Sequence, residues 1–179
     1  MLSFSGSIHG FSQIRKDMLN ISFEAAAKYG FKFTHYVGGD WKNLKRATAF
    51  NLAPRGYGRS SFHTYELVQM GFIPIYLYDD HEWLPYRGSK AFLGKFAWSL
   101  SIEQYKEWID RVGRDFQSNK SLNLEARRRE MLQVRSSHYT YEGTLDQIEY
   151  FLRSDPSGDL SCQRHPRKAV APQGVDDDL

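Results

Sequence analysis

Apolar and polar positions fall in blocks along this chain, and the blocks predict a regular succession of strands and helices. Leu2 to Ile8 reads as a short strand with Gly6 near its end. The next block places Ile14, Met18, Ile21 and Ala25 at helical spacing, with Ser12 as cap and Gly30 as stop. Phe31 to Val37 alternates and is rich in β-formers, which predicts a second strand. Gly38-Gly39-Asp40 is a turn, and Trp41 to Ala47 a short helix or irregular link. Phe50 to Ala53 is a third strand, closed by Pro54, which has no N–H to give a ladder. After a glycine-rich turn, Ser60 or Ser61 caps a helix that runs to Met70 and stops at Gly71. Phe72 to Tyr78 is a nearly continuous apolar run, as in a strand covered on both faces. Beyond Tyr86 the pattern gives a strand at Phe96 to Leu100 and a helix from Ile102 to about Val112, capped by Ser101. A charged helix from Leu122 to Val134 and a last helix from Tyr139 to Leu152, with Thr144 as its candidate cap, follow.

Up to Tyr78 the order is strand, helix, strand, link, strand, helix, strand. That alternation predicts an α/β fold with a Rossmann-like, doubly wound parallel sheet and right-handed crossovers, followed by C-terminal helices. Residues 1–153 form one domain on this reading. From Ser154 to Leu179 the chain carries Pro, Gly and charge with little that is apolar, which predicts a disordered tail.

Composition narrows the function. The 179 residues are 41% hydrophobic, enough for one substantial core. A net charge of +3 argues for neither a nucleic acid nor a membrane surface as partner. Cys162 is the only cysteine, so an intrachain disulfide and a cysteine metal cluster are both excluded. His9, His35, His63, His138 and His165 lack the spacing of a zinc site and read as loop or surface histidines. No metal is expected. No run approaches ~18 apolar residues, so no transmembrane helix is expected. The N-terminus lacks the basic start and apolar core of a signal peptide. Met1 leads directly into a strand, as in a piece of a longer protein.

The candidate chemistry lies after the third strand. Gly56 and Gly58 permit a tight turn and close approach of a ligand to backbone. Arg55 and Arg59 flank that turn, and a helix start follows with its free N–H groups and partial positive charge. Ligands of open α/β sheets bind outside the carboxyl ends of the strands, where this turn belongs. Together these make an anion site, most naturally for a phosphate or diphosphate. The plainer alternative is a surface turn with two solvated arginines, and G-Y-G-R-S-S is not a Walker loop. Glu66 can accept from a ribose hydroxyl pair. Alternatively it belongs with His63 and Gln69 to the wet face of its helix, which the residues alone favour. Asp79, Asp80, His81 and Glu82 read as a solvated loop in preference to a metal site. Arg127, Arg128 and Arg129 read as a solvated helix face, flanked by Glu125 and Glu130. No Gly-x-Ser-x-Gly elbow is present.

Pro54 to Phe62 (P-R-G-Y-G-R-S-S-F), Tyr65-Glu66, Gly71 to Ile75 (G-F-I-P-I), Asp79-Asp80 and Trp83 to Tyr86 (W-L-P-Y) occur together in order. Phe4 to Ile8 (F-S-G-S-I) and Ile14 to Leu19 (I-R-K-D-M-L) precede them. Taken together, roughly residues 4 to 153 resemble the C-terminal part of the exostosin family of glycosyltransferases. The resemblance implies the C-terminal, nucleotide-sugar-binding lobe of a two-lobed GT-B enzyme, inverting and metal-independent, with a uridine diphosphate sugar as the usual donor. Arg55 and Arg59 would meet the diphosphate, with Gly56, Tyr57, Gly58, Ser60 and Ser61 beside them. Glu66 would bind the ribose, Gly6, Ser7 and Arg15 would line the same cleft, and Asp79 and Asp80 would reach the donor sugar. His63 stands where the family usually has arginine, and Phe72 where cysteine is common. The implied partners are a glycan acceptor and an N-terminal lobe, or partner subunit, carrying the general base. No catalytic residue is assigned in this chain, and no cofactor beyond the sugar nucleotide is implied. The implied location of a complete enzyme is the Golgi or ER membrane system. The alternative is a non-catalytic nucleotide-sugar-binding module.

Overall fold

The structure, a computed structural model, describes residues 2–8, 13–39, 41–86, 91–120 and 122–153. Five short strands, β1 (Leu2–Ser5), β2 (Phe33–Tyr36), β3 (Phe50–Pro54), β4 (Pro74–Tyr78) and β5 (Trp98–Ser101), pair in one sheet of order β2-β1-β3-β4-β5. Every pairing is parallel. The helices are α1 (Gln13–Tyr29), α2 (Trp41–Arg46), α3 (Phe62–Gln69), α4 (Ile102–Gln117), α5 (Leu124–Val134) and α6 (Tyr141–Arg153).

Alternation along the strands separates two cores. Leu2, Phe4, Leu52, Ile75 and Leu77 face α1 and α4, packing on Ile14, Met18, Tyr105 and Trp108. Tyr76 faces the other way, into a cluster with Val68, Leu93, Phe96, Met131 and Tyr139. The chain leaves β1 for β2 on one side, then returns past β1 to β3, β4 and β5 on the other. Right-handed crossovers in opposite directions must lie on opposite faces. Accordingly α1 packs with α4, while α2 and α3 cover the second face. The result is an α/β fold with an all-parallel sheet and helices on both faces, compatible with a Rossmann-like fold.

Several boundaries differ from the expectation. β5 starts at Trp98 because Phe96 and Ala97 donate to Leu93 O and close a 3₁₀ turn at Leu93–Lys95. α4 continues past Val112 to Gln117, through Gly113, where a Cβ would lie 2.2 Å from the Tyr29 ring. Glycine there lets α1 and α4 approach closely. Thr144 lies inside α6, bonded to Thr140 O. Thr140 is the cap, its Oγ1 accepting from Gly143 N at 3.1 Å. Ser101 does cap α4, in a reciprocal box with Gln104. Ser61 stands at the start of α3 with an extended backbone but makes no side-chain cap bond. Gly30 and Gly71 end α1 and α3 at φ +72° and +80°, conformations that suit glycine. The expected Ser12 cap, Asp40 of the turn, and the tail from 154 to 179 lie outside the described residues. Among the described residues no helix is long and apolar enough to cross a membrane.

Candidate functional site

Reversal of the chain's direction between β1 and β3 opens a crevice at their carboxyl ends. β1 delivers Gly6 and Ser7 to it, β3 delivers Arg55 and Gly56, and α1 sends in Arg15. Arg15 Nη1 donates to Ser7 O at 2.7 Å, and its Nε to Arg55 O at 3.4 Å. The guanidinium also stands over the Phe4 ring, 5.8 Å from its centroid. Burial holds the Arg15 pKa below its ordinary value. Gly6 has φ +149°, and a Cβ there would press on the Phe4 ring at 3.0 Å. A Cβ on Gly56 would meet only Arg15 Nη2, at 3.9 Å, so this rim of the crevice is open. Gly56 and Gly58 both lie outside the left-handed region. The turn therefore does not need glycine for its backbone angles; what the two glycines supply is open space.

The two turn arginines are already engaged. Arg55 makes a bidentate pair with Asp79 at the end of β4, Nη2 to Oδ2 at 2.8 Å and Nε to Oδ1. The hydrogen bond to Asp79 raises the Arg55 pKa. Arg59 Nε donates to Asp80 Oδ2 at 2.8 Å. Burial alone would push Asp80 up. Hydrogen bonds from Arg59 and from the His81 backbone outweigh it and hold the carboxyl below its usual range. Asp79 and Asp80 are thus not merely solvated; they neutralise the arginines. Tyr76, its hydroxyl pKa pushed up to about 12 by burial, donates to Arg59 O and ties the turn to β4. Tyr57 is exposed, as is Gly58, while Ser60 is half-buried and Ser61 buried.

Glu66 is not drawn into that cluster. Its carboxylate meets His63 Nδ1 at 3.0 Å, and its side chain is half exposed. His63 is no wet-face residue: its ring is largely buried, edge-on to Trp41 with centroids 5.0 Å apart, and Nε2 has no hydrogen-bond partner. Burial, then the Lys45 charge, pull the His63 pKa down against the opposing hydrogen bond that Nδ1 donates to Glu66. His35 also leaves the surface, stacked on Phe4 and bonded to Gly6 O at 2.9 Å. Arg127 is no freely solvated residue either, lying over the Trp98 ring at 4.3 Å, whereas Arg128 and Arg129 are exposed.

Sequence reasoning missed Lys45. It is fully buried beneath α2, with Nζ donating to Ser3 Oγ at 3.2 Å, and burial lowers its pKa to about 7. The available signal was the spacing Trp41, Lys45, Thr48, which puts all three on one helical face. Ser3 in turn bonds Thr48 at 3.0 Å and Asn51 Oδ1 at 3.2 Å.

An apolar cavity of about 190 Å³ lies at the opposite, amino end of the sheet, lined by Leu2, Phe31, Phe50, Trp108 and Val112. It shares no residue with the crevice, and the carboxyl end is where the fold places ligands. Among the described residues no three of His, Cys, Asp and Glu are grouped to hold a metal ion. In comparison with known proteins, the chain matches no family model, no curated protein and no solved structure.

Proposed function

We propose that the chain is the donor-binding lobe of an inverting glycosyltransferase of exostosin type, holding a nucleotide diphosphate sugar, most naturally a UDP-sugar, at the β1–β3 crevice. The observation that carries this reading is the meeting of Arg15, Gly6 and Ser7 with Arg55 and Gly56. Segments 40 residues apart supply positive charge and open backbone to one place. The quoted motifs are the second support. In a complete enzyme an acceptor hydroxyl attacks the anomeric carbon while the bond from that carbon to the diphosphate oxygen breaks. Guanidinium groups at the crevice stabilise charge developing on the leaving diphosphate. A base in another lobe takes the hydroxyl proton. To receive the diphosphate, Arg55 and Arg59 exchange their bonds to Asp79 and Asp80, which frees those carboxylates for sugar hydroxyls.

Titration calorimetry with UDP tests the reading. Binding is expected at millimolar UDP or below. Arg55→Ala is expected to weaken it about tenfold, the loss of one charge-assisted contact, and Glu66→Ala to weaken it less. No binding at millimolar UDP, or both variants binding as the wild type does, would sink the idea. The neutralisation of both turn arginines favours a second reading, a binding module without catalysis. Sugar transfer by the chain joined to an N-terminal lobe separates the two.

A further inference from the structure

Beside the crevice, under α2 and α3, the second face of β1 and β3 carries an excess of buried donors. Ser3 and Asn51 are paired in register and bonded through their side chains, so both point to this face. Ser5, two residues on from Ser3, shares it. Asn51 Oδ1 is satisfied by Ser3 and Thr48, but Asn51 Nδ2 is buried with no partner among the described residues, and so is Ser5 Oγ. Asn51 is 1% exposed and Lys45 0%. Among the described residues no carboxylate pairs with Lys45, whose Nζ donates to Ser3 Oγ. On α3, His63 turns Nδ1 to the Glu66 carboxylate, which can only accept, so in the neutral ring Nε2 is a buried acceptor without a partner among the described residues. Buried polar groups without partners are rare in native proteins and costly. Here the Asn51 amide and the Ser5 hydroxyl, both able to donate, lie on the same strand face as the Ser3 hydroxyl that holds the buried lysine. What the cluster lacks is an acceptor carrying negative charge.

We infer that Lys45, Asn51 and Ser5 form an anion seat that takes a phosphate-class group at the β1–β3 switch point. The inference rests on and deepens the nucleotide-sugar reading: this seat grips one phosphate of the donor, while Arg55 and Arg59, released from Asp79 and Asp80, meet the other. An anion there satisfies the Asn51 amide and the Ser5 hydroxyl and supplies the lysine with a counter-charge. Since Lys45 is fully covered, entry requires α2 to shift from α3, which breaks the Trp41–His63 contact. Of the charged and titratable groups on the neighbouring elements, His63 of α3 interacts with Lys45, with Glu66 bonded behind it. β1 and β3 present only neutral side chains to it. Anion binding therefore draws a proton onto the Lys45 amine near neutral pH.

The test is calorimetry of the full chain with inorganic pyrophosphate, inorganic phosphate and UDP at pH 7.5, in two buffers of different ionisation enthalpy. Wild type is expected to bind pyrophosphate with net proton uptake. Lys45→Met, shown folded by circular dichroism, is expected to lose at least tenfold in affinity together with the uptake. His63→Asn is expected to keep the uptake, which assigns the proton to Lys45. No pyrophosphate binding by the wild type, or unchanged affinity in Lys45→Met, overturns the seat. Lys45-dependent pyrophosphate binding without UDP binding leaves the seat standing and ends the nucleotide-sugar reading. Arg55-dependent UDP binding that Lys45→Met does not alter does the reverse. Inorganic phosphate binding with the same Lys45 dependence shows that the seat accepts the free ion as well as a diphosphate.

Discussion

At single residues, two positions have consequences that their neighbours do not share. A Cβ at Gly113 would fall 2.2 Å from Cδ2 of Tyr29, whose hydroxyl is fixed by Asp110 at 2.7 Å. The ring cannot move aside without losing that bond. Gly113→Ala should therefore destabilise by about 1–3 kcal/mol despite its better helix propensity, and urea unfolding would measure it. Lys45 is the second case. Its pKa is about 7 in the fold and near 10.5 when unfolded. Above 10.5 the amine is neutral in both states and burial of charge costs nothing. Below 7 it is protonated in both and the penalty is full. Stability from this group should thus rise with pH across the window from 7 to 10.5. At pH 7 the penalty is on the order of 4 kcal/mol, so Lys45→Met should stabilise the chain there and lose its advantage by pH 10.5. Thermal unfolding across that range checks the sign. A buried cation that weakens its own fold is the pattern of a residue kept for binding. The sequence hid it because lysine is so seldom buried without a partner.

Elements were easier to read than residues, because each rests on local chemistry. The capping box at Ser101 and Gln104 is one example. Its two reciprocal hydrogen bonds satisfy N–H groups that a helix start otherwise leaves open. Ser101→Ala should cost about 1 kcal/mol, seen as a lower denaturant midpoint with unchanged slope. The start of α3 contrasts with it: Ser61 occupies the cap position without making the bond. The predicted cap on α6 failed for a related reason. Thr140 and Thr144 both suit a cap, and the choice fell to Thr140 because the π turn at Arg135–Tyr139 delivers the chain to Tyr141. No sequence period announces such a turn.

For the whole molecule, attachment is uneven. The strands and α1, α3, α4 and α5 bury apolar faces in the two cores, whereas among the described side chains none of α6 contributes to either. Leu145 is 46% and Ile148 50% exposed. Replacing both by serine should change unfolding free energy by no more than about 0.5 kcal/mol, since each gives up little buried area. A loss several times larger in the same urea experiment would mean that this helix face is covered. The contrast extends to the crevice. β3 and β4 are almost entirely buried and hold Arg55 and Asp79 on a stiff base. The Tyr57 side of the turn stays exposed.

By itself the sequence determined the α/β succession, the parallel sheet and the carboxyl-end turn carrying Arg55 and Arg59. These follow from periodicity, glycine stops and the few connections that chirality permits, all local or nearly so. It also joined Gly6, Ser7 and Arg15 to that turn through a family resemblance, and the structure puts them beside Arg55. Only the tertiary structure decided how the charges are spent. Pairing of Arg55 with Asp79 and Arg59 with Asp80, burial of His63 with Glu66 behind it, and enclosure of Lys45 against Ser3 depend on which strand end faces which helix. Such contacts join residues tens of positions apart, and they depend on side-chain direction and water exclusion, which leave no period in the sequence.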